Sequence, residues 1–167
     1  MSEIFVISDT HFGHKNILNF EFEGEKLRDF DSLDEMHETI INRWNNVVTK
    51  KDIVYHLGDV ASPKNGLNLL HMLNGRKRLV RGNHDNFKIN LYREYFSEIH
   101  GVRQINGLWL THVPMHPHSV LQPRVKANIH GHLHADKIAH PRWINVCVEC
   151  TDYTPISFTN ILENLHE

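Results

Sequence analysis

Short apolar runs alternate with an amphipathic stretch in the first half of the chain. Residues 4–7 and 53–57 are dominated by aliphatic and aromatic side chains, and residues 78–81 contain a shorter apolar pair. Runs of this kind, each followed by polar turn residues, are typical of buried strands. Residues 32–48 instead carry apolar side chains at helical spacing. The pattern therefore predicts strands and helices in alternation.

Capping residues and glycine predict where the helices begin and end. Ser32 and Glu35 have the spacing of a capping box at the start of the first helix. Residues 67–73 carry a leucine at every third position, which predicts a second helix that Gly75 ends. Ser157 is predicted to cap a last helix near the carboxyl end.

The second half of the chain has a more β-rich pattern. Residues 102–105 and 108–111 flank an Asn-Gly pair at 106–107, a strong hairpin signal. Residues 125–129 and 143–148 are further predicted strands. Alternation of β and α elements followed by a hairpin predicts an α/β sandwich, with sheets inside and helices outside.

Length and composition exclude several classes of protein. The 167 residues predict one domain, residues 1–167, and a net charge of −2 gives no basic surface for a stable nucleic-acid partner. Apolar runs are too short to cross a membrane, the amino-terminal residues lack a signal-peptide pattern, and two cysteines cannot make a disulfide framework. We expect a cytoplasmic enzyme, and its 15 histidines are the unusual feature.

Polar residues suited to metal binding follow the predicted strands. Ligands bind at the carboxyl edge of open α/β sheets, and aspartate, asparagine and histidine suit divalent transition ions. Asp59 can bridge two ions, because a carboxylate has two oxygens. The seven candidate ligands are Asp9, His11, Asp59, Asn83, His112, His132 and His134. With Asp59 shared, they supply four contacts to each of two ions.

Two such ions form the usual clamp for displacement at phosphorus, and a water that bridges them becomes hydroxide at neutral pH. His84 lies next to Asn83 in the sequence and is predicted to protonate the leaving oxygen. Asp85 is predicted to orient the His84 ring. His84 and Asp85 are therefore the candidate catalytic residues, and manganese is the expected ion, with iron, zinc, nickel or cobalt as alternatives.

Five motifs in this order resemble the signature of calcineurin-like metallophosphoesterases. They are Asp9-Thr10-His11, Gly58-Asp59, Gly82-Asn83-His84-Asp85, Thr111-His112 and Gly131-His132-Leu133-His134. The resemblance implies a double β-sandwich flanked by helices, a binuclear centre and phosphoester hydrolysis, and is nearest to small bacterial or phage phosphoesterases. It also implies that Asp9, His11, Asp59 and His134 hold one ion, and that Asp59, Asn83, His112 and His132 hold the other.

The resemblance favours a phosphodiesterase acting on nucleotides or other small phosphate diesters, because the family associates the histidine equivalent to His84 with diesters. A phosphomonoesterase with the same site is the alternative, and a non-catalytic metal-binding scaffold is a remote one. His14, Asn83 and His84 are the candidate substrate contacts, although His14 also suits a polar helix start. His130 is expected to support the ligands rather than to bind metal.

Two further sequence features favour ordinary structural roles. Cys147 and Cys150 have the spacing of a redox or zinc motif, but one pair cannot complete a zinc site, and small residues near a strand end are the simpler interpretation. The basic run at residues 76–78 is expected to be a solvated strand entrance.

Overall fold

The computed structural model describes residues 2–165. In chain order the strands are β1 (Ile4–Ile7), β2 (Glu21–Phe22), β3 (Glu25–Lys26), β4 (Ile53–His56), β5 (Arg76–Val80), β6 (Glu98–His100), β7 (Arg103–Ile105), β8 (Leu108–Leu110), β9 (Ala127–His130), β10 (Trp143–Asn145) and β11 (Ile156–Ser157). The α-helices are α1 (Leu33–Val47), α2 (Ile89–Tyr92), α3 (Pro117–Val120) and α4 (Phe158–Asn164), and 3-10 helices cover Lys15–Asn19, Lys64–Met72 and Val148–Cys150.

Two mixed sheets form the body of the molecule. The first has the strand order β11-β1-β4-β5-β6 and is parallel apart from β11, while the second has the order β10-β9-β8-β7 and is parallel apart from β7. Parallel strands end at the same edge of a sheet, so the loops that follow β1, β4 and β5 lie side by side, as do those after β8 and β9.

The apolar core between the sheets follows from the alternation of side chains along each strand. Val6, Tyr55 and Val80 of the first sheet pack against Leu110 and Ile129 of the second. Burial of these side chains removes apolar surface from water and holds the two sheets face to face. This arrangement confirms the predicted α/β sandwich.

Helix α1 covers the other face of the first sheet. Met36, Ile40 and Trp44 are fully buried, and they pack with Phe5 and Leu79 of the sheet. The apolar stripe of the sequence is therefore the contact surface of the helix. The outer face of the second sheet has a thinner cover, a small cluster that includes Val120 of α3 and Trp143 of β10.

Several predicted boundaries are confirmed, and so is the second predicted helix. Ser32 caps α1 by accepting a hydrogen bond from the Glu35 amide, and Ser157 caps α4 in the same way. The hairpin between β7 and β8 turns through Asn106 and Gly107, both at positive φ, as a type I′ turn requires. The predicted second helix is a 3-10 helix, since a leucine at every third residue matches three residues per turn.

No helix among residues 2–165 is long and apolar enough to cross a membrane. The assignment of residues 1–167 to one domain stays a prediction.

Candidate metal centre

All seven candidate ligands lie in loops at the carboxyl ends of parallel strands. Asp9 and His11 follow β1, Asp59 follows β4, Asn83 follows β5, His112 follows β8, and His132 and His134 follow β9. The sequence predicted this placement from strand ends alone, and the structure brings the side chains together in two clusters.

The first cluster contains Asp9, His11 and His134. Their ligand atoms lie within 4.8 Å of one another, with His11 Nε2 3.7 Å and His134 Nε2 3.9 Å from Asp9 Oδ1. Asp9 Oδ1 and His11 Nε2 are buried and have no hydrogen-bond partner in the described part of the chain. Buried polar atoms normally have partners, so two adjacent exceptions fit a pair of ligand atoms for a metal ion.

The second cluster contains Asp59, Asn83, His112 and His132. Asn83 Oδ1 lies 2.8 Å from His112 Nε2 and 3.0 Å from His132 Nδ1. Asp59 Oδ2 lies 3.4 Å from His112 Nε2 and also 3.9 Å from His11 Nε2 of the first cluster. One carboxylate oxygen of Asp59 therefore stands between the two clusters.

These spacings fit two divalent ions. Ligand bonds of about 2.0–2.2 Å place neighbouring ligand atoms roughly 3–3.6 Å apart around one ion, close to the distances observed here. The donor set contains only nitrogen and oxygen, which suits manganese, iron, zinc, nickel and cobalt alike. The seven candidate ligands therefore fit the pair of divalent ions that the sequence predicts.

The backbone at the ligands has an unusual conformation. Positive φ is uncommon for residues other than glycine and recurs at functional sites, where the surrounding structure enforces it. It occurs at five of the seven ligands, with φ of 59° at Asp9, 49° at His11, 54° at Asp59, 70° at His132 and 51° at His134. The fold therefore holds these loops in backbone conformations that are unfavourable in themselves but position the ligand side chains.

Each aspartate accepts hydrogen bonds at one oxygen and has its other oxygen next to the ligand histidines. Asp9 Oδ2 accepts hydrogen bonds from Ser8 Oγ at 2.5 Å, the His132 amide at 2.9 Å and Cys147 Sγ at 3.2 Å. Asp59 Oδ1 accepts from the His84 amide at 2.9 Å. Burial opposes the charged form of Asp9, but its contacts with His11 and Ser8 and the nearby His112 hold its pKa well below its usual value.

Two glycines in the motifs let the backbone approach these carboxylates. A Cβ at Gly82 would overlap Asp59 Oδ1, and a Cβ at Gly131 would overlap Asp9 Oδ2. The glycine before Asn83 and the glycine before His132 are therefore part of the ligand geometry.

Asp85 differs from its prediction. Its Oδ2 accepts from the amides of Gly82 and Asp59 at 2.8 and 2.9 Å, and its Oδ1 accepts from the Val60 amide at 3.0 Å. The carboxylate thus ties the loop after β4 to the loop after β5, and main-chain donors occupy it instead of the His84 ring. Burial raises the pKa of Asp85 despite these hydrogen bonds.

A buried ion pair behind His134 was missed by sequence analysis. Glu149 Oε1 lies 2.9 Å from His134 Nδ1, and Arg28 Nε donates to the same oxygen at 2.8 Å. Arg28, which is 1% exposed, also donates to the carbonyl oxygens of Asp9 and Thr10. The pair fixes the His134 tautomer, with Nε2 free for metal. Burial opposes protonation of His134, but Glu149 raises the His134 pKa.

His112 is oriented by a different partner. Its Nδ1 lies 2.8 Å from the main-chain carbonyl oxygen of Leu57, which leaves Nε2 for the metal. Burial lowers the pKa of His112, but Asp59 and Asp9 more than offset this and leave it raised.

The remaining predicted residues surround the two clusters. The exposed His84 ring lies 5.9 Å from the His11 ring, and the His14 ring lies 5.7 Å from it on centroids. His130 is buried, with its Nδ1 2.9 Å from the carbonyl oxygen of Gly131. Cys147 and Cys150 are free.

Comparisons with known proteins identify a family and several similar sequences. A model of the calcineurin-like phosphoesterase superfamily domain matches residues 2–147. An uncharacterised protein of Methanocaldococcus jannaschii is 38% identical over 176 aligned positions, covering 98% of this chain and 91% of that protein. The Gene 66 protein of Mycobacterium phage L5 is 36% identical over 91 positions, covering 51% of this chain and 41% of the phage protein.

Similarity also extends to a solved structure. The crystal structure of a protein of unknown function from Aquifex aeolicus matches with a TM-score of 0.73 and 29% identity, covering 98% of this chain and 100% of that one. The family model spans most of the sequence and includes every candidate ligand. This chain belongs to the calcineurin-like phosphoesterase superfamily.

Proposed function

We propose that the protein is a phosphodiesterase that uses two divalent ions and acts on nucleotides or other small phosphate diesters. The observation that carries the proposal is the position of Asp59 Oδ2, which lies within 4 Å of a histidine nitrogen from each cluster. A shared carboxylate oxygen is the feature that a paired-ion centre needs.

Two ions at this centre would supply positive charge at the phosphate and a water of lowered pKa. The neutral amide of Asn83 keeps the ligand set less negative than a third carboxylate would, which favours approach of an anionic ester. His84 lies beside the ligands with an exposed ring and donates a proton to the leaving oxygen, while Asp59 holds the His84 amide and so fixes its loop.

An assay with matched substrates tests the proposal. Protein loaded with Mn²⁺ is offered bis(4-nitrophenyl) phosphate, 4-nitrophenyl phosphate and 2′,3′-cyclic AMP, with Asp59→Ala prepared identically to exclude contaminating phosphatases. The expected result is a higher kcat/KM for the diesters. Rapid monoester turnover with little diester turnover contradicts the proposal and favours a phosphomonoesterase. Two bound ions without turnover of any ester favour a non-catalytic scaffold.

We further propose manganese as the ion and the cytoplasm as the location. Free thiols at Cys147 and Cys150 suit a reducing compartment. Metal analysis of protein purified from its own host, without added ions, tests the first point.

A further inference from the structure

A cavity of about 480 Å³ opens beside the metal centre. It lies between the 3-10 helix Lys15–Asn19, the start of α1 and the 3-10 helix Lys64–Met72. Its volume falls within the range of about 300–1,000 Å³ typical of small-molecule sites.

The two ligand loops continue directly into this cavity. Gly13 and His14 follow His11 in the sequence, and Ser62 comes three residues after Asp59. The loops are paired, because the Ser62 amide donates to the carbonyl oxygen of Phe12 at 2.9 Å. The two hydrogen-bonded loops therefore form one side of the cavity, and they connect it over a few residues to the metal ligands His11 and Asp59.

His14 stands between the cavity and the centre. Its ring lines the cavity and lies 5.7 Å from the His11 ring. Its Nδ1 is buried and has no hydrogen-bond partner among residues 2–165, which is unusual for a buried polar atom. Outside the lining, the Phe20 ring packs against the His14 ring in a T-shaped arrangement, with the centroids 5.9 Å apart.

The lining has the chemistry of a site for a neutral ring with polar edges. Leu33, Pro63 and Leu69 supply apolar surface, while Asn16 and Asn65 supply both hydrogen-bond donors and acceptors. The described lining includes Lys15 as a charged group and contains no carboxylate. The described lining therefore offers no carboxylate to neutralise a cationic alcohol.

His37 adds a polar side chain to the lining. Its Nε2 accepts a hydrogen bond from the Gly13 amide at 2.9 Å, so in the neutral ring the proton is on Nδ1. Burial lowers the pKa of His37 and favours this neutral form.

We propose that this cavity binds the nucleoside of a nucleotide diester while the phosphate lies at the metal centre. The inference rests on the proposed function and narrows its substrate class. Apolar side chains contact the faces of the base, the amides of Asn16 and Asn65 contact its edges, and Lys15 contributes positive charge near the anionic ester.

The test compares two esters with the same leaving group. Thymidine 5′-(4-nitrophenyl phosphate) carries a nucleoside, and methyl 4-nitrophenyl phosphate does not. Asn65→Trp places a bulky side chain in the cavity from an exposed position, and Asn16→Ala removes an amide without adding bulk. Met72→Trp is the matched control, because Met72 is 57% exposed on the same 3-10 helix and lies outside the lining.

We expect the ratio of the KM for the thymidine ester to the KM for the methyl ester to rise about tenfold in Asn65→Trp. A smaller rise is expected in Asn16→Ala and none in Met72→Trp. An unchanged ratio in both cavity variants, each melting at the wild-type temperature, overturns the proposal.

Calorimetry of thymidine 5′-monophosphate binding separates this proposal from the proposed function. If neither ester is hydrolysed but the nucleotide binds wild type and Met72→Trp more tightly than Asn65→Trp, the subsite stands and the phosphodiesterase proposal fails. If the esters are hydrolysed and the nucleotide binds all variants equally, the nucleoside-site proposal fails while the phosphodiesterase proposal stands.

Discussion

The two ligand clusters are supported in different ways. In the first, Asp9 is fully buried and His134 is backed by the Glu149–Arg28 ion pair. In the second, Asn83 is exposed and neutral, and His112 is backed by a main-chain carbonyl. The first cluster thus has more negative charge and less solvent, so we expect it to bind its ion more tightly than the second does.

Loss of the shared ligand Asp59 should remove metal binding from both clusters and with it the difference in their metal affinities. Asp59→Ala removes the oxygen that both clusters use. We expect both ions to be lost and kcat/KM for a diester to fall by at least about 10³-fold. Metal analysis after gel filtration, together with the bis(4-nitrophenyl) phosphate assay, measures both effects. A variant that retains two ions per chain contradicts the shared role of Asp59.

Removal of His84 should leave both clusters intact. The His84 ring lies beside His11 and belongs to neither ligand set, so His84→Ala is expected to retain both ions. Loss of the proton donor should lower diester turnover by about 10²- to 10⁴-fold. Equal metal loss in His84→Ala and Asp59→Ala would show that His84 is a ligand.

A change at Glu149 should affect one cluster only. Glu149→Gln keeps an oxygen that can accept from Arg28 and His134 but removes the charge behind His134. We expect the tighter metal affinity to fall by about 10- to 100-fold while the weaker affinity is unchanged. Isothermal titration with Mn²⁺ resolves the two steps.

Glu98→Gln is the matched control for this experiment. It removes a carboxylate from an ion pair with Arg78 on the edge strand of the first sheet, outside the metal centre. Both affinities should be unchanged in this variant. An equal fall of the two affinities in Glu149→Gln would contradict the division between the clusters.

Removal of a carboxylate outside the metal centre, that of Asp52, should lower the free energy of unfolding slightly, and this effect should not depend on metal. Asp52 accepts from the Glu3 amide at 2.8 Å and from the Thr49 amide and hydroxyl at 2.7 Å. The Glu3 amide and the Thr49 donors lower the pKa of Asp52, so its contribution to stability is present above the unfolded-state value of about 3.9 and is lost as pH falls through the folded value.

Asp52→Asn should therefore lower the free energy of unfolding by about 1–2 kcal/mol near pH 7. The difference from wild type should shrink as the pH falls below about 4. Urea unfolding in EDTA measures it. A difference that is constant with pH would show that the carboxylate charge at Asp52 contributes nothing.

The ligands could be predicted from the sequence because the information is local. Each follows an apolar run that ends in a turn, and His11 and His134 recur two positions after another ligand. Asp85 was identified as important, but its partners were not, since Val60 is distant in the sequence and donates through its main chain.

Glu149 and Arg28 could not be found in this way. They are 121 positions apart, and neither has a local pattern that differs from an ordinary charged residue. Their role depends on the segment between His11 and α1, which brings Arg28 beneath the backbone of Asp9. Such contacts are set by tertiary packing and have no periodicity to detect.

Electron paramagnetic resonance of Mn²⁺-loaded protein tests the central claim most directly. If Asp59 Oδ2 is shared, two ions lie roughly 3.5–4 Å apart and their spins interact. We predict two manganese ions per chain and a spin-coupled spectrum that Asp59→Ala abolishes. One ion per chain, or two ions with uncoupled six-line spectra, would contradict the account.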